Sequence, residues 1–252
     1  MTTSYRDLKG RNYLHVLSEE NARFAAAAEA SGMASEVDAC PGWNVAELVF
    51  HMAKVQNMFH GMLTTDASSP KDLPRIERPE TDAGILELFL SGAARLETLL
   101  ENTPDDAVVW TFTGPKPASW VKRRQAQEVL VHRFDAEMAG GELSDADEVM
   151  CADGIDELLV VFVPRLGDKV TLAGSVHVHC VDTDGEWMLV PSPSGVEVTR
   201  DHGKGDVAFR GSARLLLLAL WRRISVDEAI AAGAEVFGSR DVLDSFVSSV
   251  AI

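Results

Sequence analysis

Cysteine is scarce: Cys40, Cys151 and Cys180 are the three in a chain of 252 residues. They are odd in number, widely spaced and form no CxxC pair, which excludes a disulfide framework. A reducing compartment fits that usage, so a cytoplasmic location is expected. Basic residues are also short. There are 23 Lys and Arg against 39 Asp and Glu, a formal net charge of −16. Nucleic acid and anionic lipid both need clustered cations, so neither is expected as a partner. No uninterrupted apolar run approaches the roughly 18 residues of a membrane span; the longest candidate, 215–221, is far shorter. The first eight residues hold no apolar stretch, so no secretory leader is expected. GxGxxG, P-loop and Ser-His-Asp patterns are missing too, and no internal repeat or low-complexity tract is visible.

What remains is the composition of an ordinary soluble globular protein, 46% hydrophobic and 25% charged. The length suits one large domain or two smaller ones. A first helix is expected over about 13–30, rich in Ala, Glu and Leu, with Gly32 as its C-cap signal. Pro41-Gly42 marks a turn, and Asn44 with Glu47 three residues on resembles a capping box. A second helix follows over 45–63, with Val45, Leu48, Val49, Met52, Val55 and Phe59 on one face. His51 lies beside that stripe and is expected to point inward.

Residues 65–82 read as a loop, and a third helix covers 83–101. The stretch 108–112 is β-prone, Gly114-Pro115-Lys116-Pro117 reads as a loop, and Ser119 is the expected cap of a fourth helix over 120–139. Four helices in about 140 residues suggest a four-helix bundle. After Leu143 the pattern changes. A helix is expected over 145–163, then strands over 171–181, 186–190, 196–200 and 207–210, with Asp184-Gly185 as a hairpin turn. Helical runs follow over 212–223, 226–232 and 241–250. The fold class is therefore α+β: a helical bundle over 1–143 and a smaller α/β domain over 144–252.

The fourth helix carries Glu128 and His132, four residues apart and so on one face. With His51 they make three candidate ligands from two helices. Two imidazoles and a carboxylate suit zinc, which in catalytic sites keeps a fourth position open; nickel or iron(II) accept the same set. Asp135, three residues beyond His132, is placed to support the site from behind or to form a salt bridge. Acid–base pairs at this spacing are also common on solvated helix faces. His177 and His179 share a face of a strand. They can bind metal, though packing or lining a cleft is the commoner use. The cysteines read as small buried residues.

At these residues the chain resembles a known family. Pro41-Gly42-Trp43-Asn44-Val45-Ala46-Glu47-Leu48-Val49-Phe50-His51 is similar to the opening motif of the mycothiol-dependent maleylpyruvate isomerase N-terminal domain. Arg124-Gln125-Ala126-Gln127-Glu128, followed by Val131-His132-Arg133-Phe134-Asp135-Ala136-Glu137, is similar to its second signature, with Phe134 where that family often has Trp. The stretch 177–187 and the helix 215–223 resemble its smaller C-terminal domain. The resemblance implies a DinB-like metal-binding four-helix bundle in which His51, Glu128 and His132 hold zinc or another divalent metal. It implies mycothiol as a thiol cosubstrate and a small-molecule substrate. Cis–trans isomerisation would then proceed by reversible thiolate addition to an activated double bond. It also implies an active-site arginine near the end of a Leu/Trp-rich helix, for which Arg223 aligns and Arg222 competes. Arginines at a helix C-terminus also complement its dipole. Arg124 and His179 are the candidates for contact with the thiol. An S-transferase that conjugates the thiol to electrophiles, or a non-catalytic metal-stabilised binding module, would use the same ligands. A monomer or small homo-oligomer is expected.

Overall fold

A computed structural model describes residues 4–67, 69–73, 75–193 and 195–250. The chain forms two compact units. One is Leu8–Ser144; the other is Asp145–Ile252 together with the N-terminal residues through Asp7. Tyr5, in the short 3₁₀ turn Tyr5–Asp7, explains that grouping, because its ring sits 5.6 Å from the Trp187 ring of the second unit.

The first unit holds four long helices: α1 (Gly10–Ser31), α2 (Val45–Thr64), α3 (Asp82–Glu101) and α4 (Ala118–Ala139). α1 packs on α4 and α2 on α3, and contacts of α1 with α3 and of α2 with α4 complete the four-helix arrangement. Leu17, Phe24, Leu48, Met52, Phe89, Leu96, Val129 and Phe134 fill the core. Phe24 meets Phe89 edge to face at 5.0 Å. The apolar spacing that marks α2 in the sequence is the buried face of α2, from Val45 to Met62. α1 ends at Gly32, whose φ of +83° suits glycine.

α4 is unusual in burying polar groups as well: Lys122, Arg124, Gln125, Gln127, Arg133 and Asp135 are all inside. Burying charge is costly unless it is paired. Arg133 binds Glu20 and donates to Glu137 (2.7 Å), and Lys122 Nζ donates to Asp105 (2.6 Å).

Two local expectations in this unit are corrected. Residues 114–117 are not a loop: β1 (Val108–Thr111) and β2 (Gly114–Pro117) pair antiparallel, with Val108 opposite Pro117 and Trp110 opposite Pro115. Proline is tolerated because this ribbon has only edges. Nor does Ser119 cap α4, which starts two residues earlier than expected, at Ala118, with Pro117 at the N-cap and no side-chain cap. The first free N–H groups go instead to backbone carbonyls, Ala118 to Ala107 (2.8 Å) and Ser119 to Asp105 (3.0 Å).

The second unit begins with α5 (Glu148–Glu157), a π turn over Leu158–Phe162 and α6 (Val163–Leu166). The helix expected over 145–163 is present as one continuous helical run from Glu148 to Leu166, with the π turn inside it. Pro164 lies just inside α6 and has no N–H to continue the α ladder. β3 (Val176–Cys180), β4 (Glu186–Ser192), β5 (Gly195–Thr199) and β6 (Val207–Gly211) follow. Then come α7 (Ala213–Leu220), α8 (Val226–Ala231), β7 (Glu235–Gly238) and α9 (Arg240–Ser249). The sheet order is β5-β4-β3-β6-β7. β3 and β6 are parallel, and the other pairs are antiparallel.

Val176, Val178 and Cys180 point to the covered face with Trp187, Leu189, Val207 and Phe209, all buried; α7 packs on β3 and β6, and α9 on β6. His177 and His179 therefore point to the opposite face. β7 is an addition to the sequence reading, a short and largely exposed edge strand without apolar alternation. Among the described residues, no helix is long and apolar enough to cross a membrane.

Candidate metal centre

The position of His51 is set by the start of α2. Asn44 Oδ1 accepts from the Glu47 N–H (2.9 Å), which fixes the first turn. The Trp43 ring, just before the cap, lies 5.0 Å from the His51 ring and limits its rotation. α4 supplies the other two side chains. Glu128 and His132 sit one turn apart, and α2 packs on α4 so that His51 reaches them. His51 Nε2 lies 3.5 Å and His132 Nε2 lies 3.7 Å from Glu128 Oε1. The two imidazole rings meet edge to face at 5.1 Å. All three side chains are only partly exposed, 26%, 19% and 12% for His51, Glu128 and His132.

These separations fit a metal. Bonds of about 2.0–2.1 Å at a tetrahedral angle hold two donor atoms about 3.3 Å apart. The donor set, two nitrogens and one carboxylate oxygen, is the kind zinc and its neighbours accept.

Two further residues orient the ligands. His132 Nδ1 lies 2.8 Å from Asp135 Oδ2, and the Asp135 side chain is fully buried. An ionised carboxylate only accepts, so Nδ1 carries a proton and Nε2 faces Glu128 and His51. This is the carboxylate–histidine arrangement that fixes the ring of a metal ligand. Arg124, itself buried, takes Glu128 Oε2, which turns Oε1 toward the histidines. Burial pushes the Glu128 carboxyl up, but the Arg124 charge and the His132 and His51 contacts more than offset it and hold it well below the usual range. Burial pushes His132 down; the hydrogen bonds with Asp135 and Glu128 outweigh it and raise its pKa to about 9.

A second possible group shares one member: Cys40, His132 and Asp135 also place ligand atoms within 4.8 Å of one another. Cys40 is half-exposed, unlike buried Cys151 and Cys180, so it is not the small core residue expected. Its only sequence signal is its place directly before the Pro41-Gly42 turn.

The other expected site residues belong to other local environments. Arg124 is a buried partner of Glu128 rather than a group presented to solvent. Arg222 and Arg223 follow α7 in the second unit. Arg222 is exposed and adopts φ +61°, the left-handed conformation. Its N–H bonds Ala219 O (3.0 Å) and that of Arg223 bonds Leu218 O (2.7 Å), the pattern that usually places glycine where Arg222 stands. Arg223 Nη1 donates to Trp221 O (2.8 Å). His179, with the buried His177, lies against Glu186 on the face of the sheet opposite the one that α7 covers. Glu186 and His202 were not legible as part of any constellation. They join it through strand register and a long connection, which no local spacing announces.

The family model of the mycothiol maleylpyruvate isomerase N-terminal domain matches residues 14–137. The model of the C-terminal domain of the same family matches residues 150–245. Among solved structures, the crystal structure of a mycothiol-dependent maleylpyruvate isomerase is similar at 16% identity with a TM-score of 0.59, covering 86% of this chain and 90% of that one. A histidine-to-alanine mutant of such an isomerase gives the same values, 16% identity, a TM-score of 0.59 and coverage of 86% and 90%. At that identity the likeness is one of fold. No curated protein matches the chain.

Proposed function

The chain belongs to the mycothiol maleylpyruvate isomerase family, and on that premise we propose that it is a metal-dependent enzyme with a low-molecular-weight thiol, mycothiol, as cosubstrate. Its reaction is the cis–trans isomerisation of a maleylpyruvate-like substrate. The observation that carries this reading is the convergence of His51, Glu128 and His132 from two helices, with Asp135 and Arg124 fixing the ligands from behind.

His51 Nε2, Glu128 Oε1 and His132 Nε2 are the atoms that would hold the metal. When bound, a divalent metal supplies the Lewis acidity that keeps a thiol ionised near neutral pH, where a free thiol of pKa about 8.5 is mostly protonated. Asp135 keeps the His132 proton on Nδ1 and so leaves Nε2 for coordination. Arg124 occupies Glu128 Oε2, so the carboxylate offers one oxygen rather than two.

In the reaction, the thiolate electron pair forms a C–S bond to one carbon of the cis double bond, and the π electrons move to the conjugated carbonyl oxygen. The former double bond rotates as a single bond. The carbonyl re-forms, the enolate π electrons restore the carbon–carbon double bond in the trans geometry, and the C–S bond breaks with its electron pair leaving on sulfur, so the thiolate returns unchanged. This is covalent catalysis with a borrowed nucleophile. The developing enolate and the substrate carboxylates call for a cation; Arg223 and Arg222 are the candidates that the family resemblance implies.

The test is proton NMR of maleylpyruvate with mycothiol and zinc-loaded protein. The proposal expects the trans isomer to accumulate while the thiol concentration stays constant. Thiol consumed in step with a stable thioether would assign the chain to S-transfer instead.

A further inference from the structure

We propose that the second unit carries a metal site of its own, formed by His177, Glu186 and His202 with His179 beside them, for a divalent first-row ion such as zinc. The site grows from the strand register. His177 and His179 are two residues apart on β3 and share a face. Glu186 opens β4 directly opposite His179. His202 comes from the connection between β5 and β6.

All three imidazoles aim one nitrogen at the same atom. His177 Nε2, His179 Nδ1 and His202 Nδ1 lie 2.8, 2.9 and 2.6 Å from Glu186 Oε1. A carboxylate oxygen offers about two lone-pair directions, so three donors exceed what it can accept well. Convergence of this kind is what a cation at the centre resolves, since it exchanges crowded hydrogen bonds for coordination. The ligand atoms of His177, Glu186 and His202 already lie within 4.8 Å of one another. Reaching tetrahedral separations of about 3.3 Å asks each imidazole to withdraw by about half an ångström. His202, with a side chain 81% exposed, is free to do so.

The rest of the site is firmer. His177 is buried, and its ring packs edge to face on those of His179 (5.8 Å) and His202 (5.4 Å). Nitrogen-rich sites with one carboxylate suit zinc, nickel or copper, and disfavour magnesium and calcium, which prefer all-oxygen ligands. A bound ion would tie the connection carrying His202 to the two central strands.

The experiment counts zinc by mass spectrometry in the full chain after metal stripping, reloading with zinc alone and desalting. His202→Ala is compared with the parent, in wild type and in a His51→Ala/His132→Ala background that silences the first-unit site. The expected result is the loss of one zinc per chain on His202→Ala in either background, with unchanged circular dichroism. Glu186→Gln, which keeps the shape, is expected to weaken zinc at least tenfold in chelator competition. Zinc content that neither substitution alters, or no zinc retained in the His51→Ala/His132→Ala chain while it remains folded, would overturn the proposal.

Discussion

Asp135→Asn removes one negative charge from behind a metal ligand while keeping the side-chain shape and an oxygen acceptor. Asp135 is fully buried and 2.8 Å from His132 Nδ1, so solvent screens the contact little. His132 is raised from 6.5 to about 9 against the cost of burial. A shift of that size corresponds to about 3 kcal/mol favouring positive charge on the ring, shared between Asp135 and Glu128. The part due to Asp135 is on the order of tenfold in affinity for a cation at Nε2. That lies at the lower edge of the 10–100-fold expected for the carboxylate behind a histidine ligand. The assay is zinc competition with a chromogenic chelator above pH ~9, where zinc has no His132 proton to displace in either protein, with the His132 pKa followed by NMR in metal-free protein. Asp135→Asn should weaken zinc about tenfold and lower the His132 pKa. Zinc affinity within twofold of wild type would refute the reasoning. Cys40→Ser separates the competing ligand group: it should leave zinc affinity unchanged, and a large loss would place the ion between Cys40, His132 and Asp135.

Protonation of His132 stabilises the metal-free fold because its folded pKa lies above its unfolded value. That contribution, up to about 3 kcal/mol, is fully present below pH ~6.5 and is lost as pH rises through about 9. Urea unfolding of wild type and His132→Gln at the two pH values measures it. Zinc displaces the same proton, so zinc affinity should rise about tenfold per pH unit over that interval, with about one proton released per zinc in calorimetry across buffers. Arg124→Met leaves the Glu128 carboxylate without its buried cation and should cost about 3 kcal/mol in metal-free protein. Saturating zinc should restore a larger share of stability to this variant than to wild type, as denaturation midpoints would show. Arg222→Gly relieves a left-handed backbone at φ +61° and should raise stability by about 1 kcal/mol; a lower melting temperature would contradict that assignment.

How much of this could be read from the sequence depends on how local each signal is. α2 was legible because Asn44, Glu47 and the Val45–Met52 spacing act within two turns. Glu128 and His132 were legible for the same reason, since one helix turn sets their separation. The β3–β4 hairpin was legible from Asp184-Gly185, whose turn fixes the register. What escaped depends on partners distant in the chain. The parallel pairing of β3 with β6 joins segments 31 residues apart through register alone. The Pro-rich β2 is a strand only because β1 folds back on it. α4 is capped by the carbonyls of Asp105 and Ala107, not by the serine that stood in the right place. The role of Arg124 as the partner of Glu128 rests on both being buried, which periodicity on a helix polar on many sides did not reveal. Glu186 and His202 come together with His177 only once the sheet is assembled.

The most direct measurement is thiol-dependent turnover of maleylpyruvate by His51→Ala, with zinc content and circular dichroism measured on the same sample. The substitution removes one of three ligands from the first unit without touching Glu128, His132 or Asp135. Loss of the zinc that depends on His51 together with loss of turnover, in a folded protein, is the predicted result. Loss of that zinc with turnover unchanged would contradict the account.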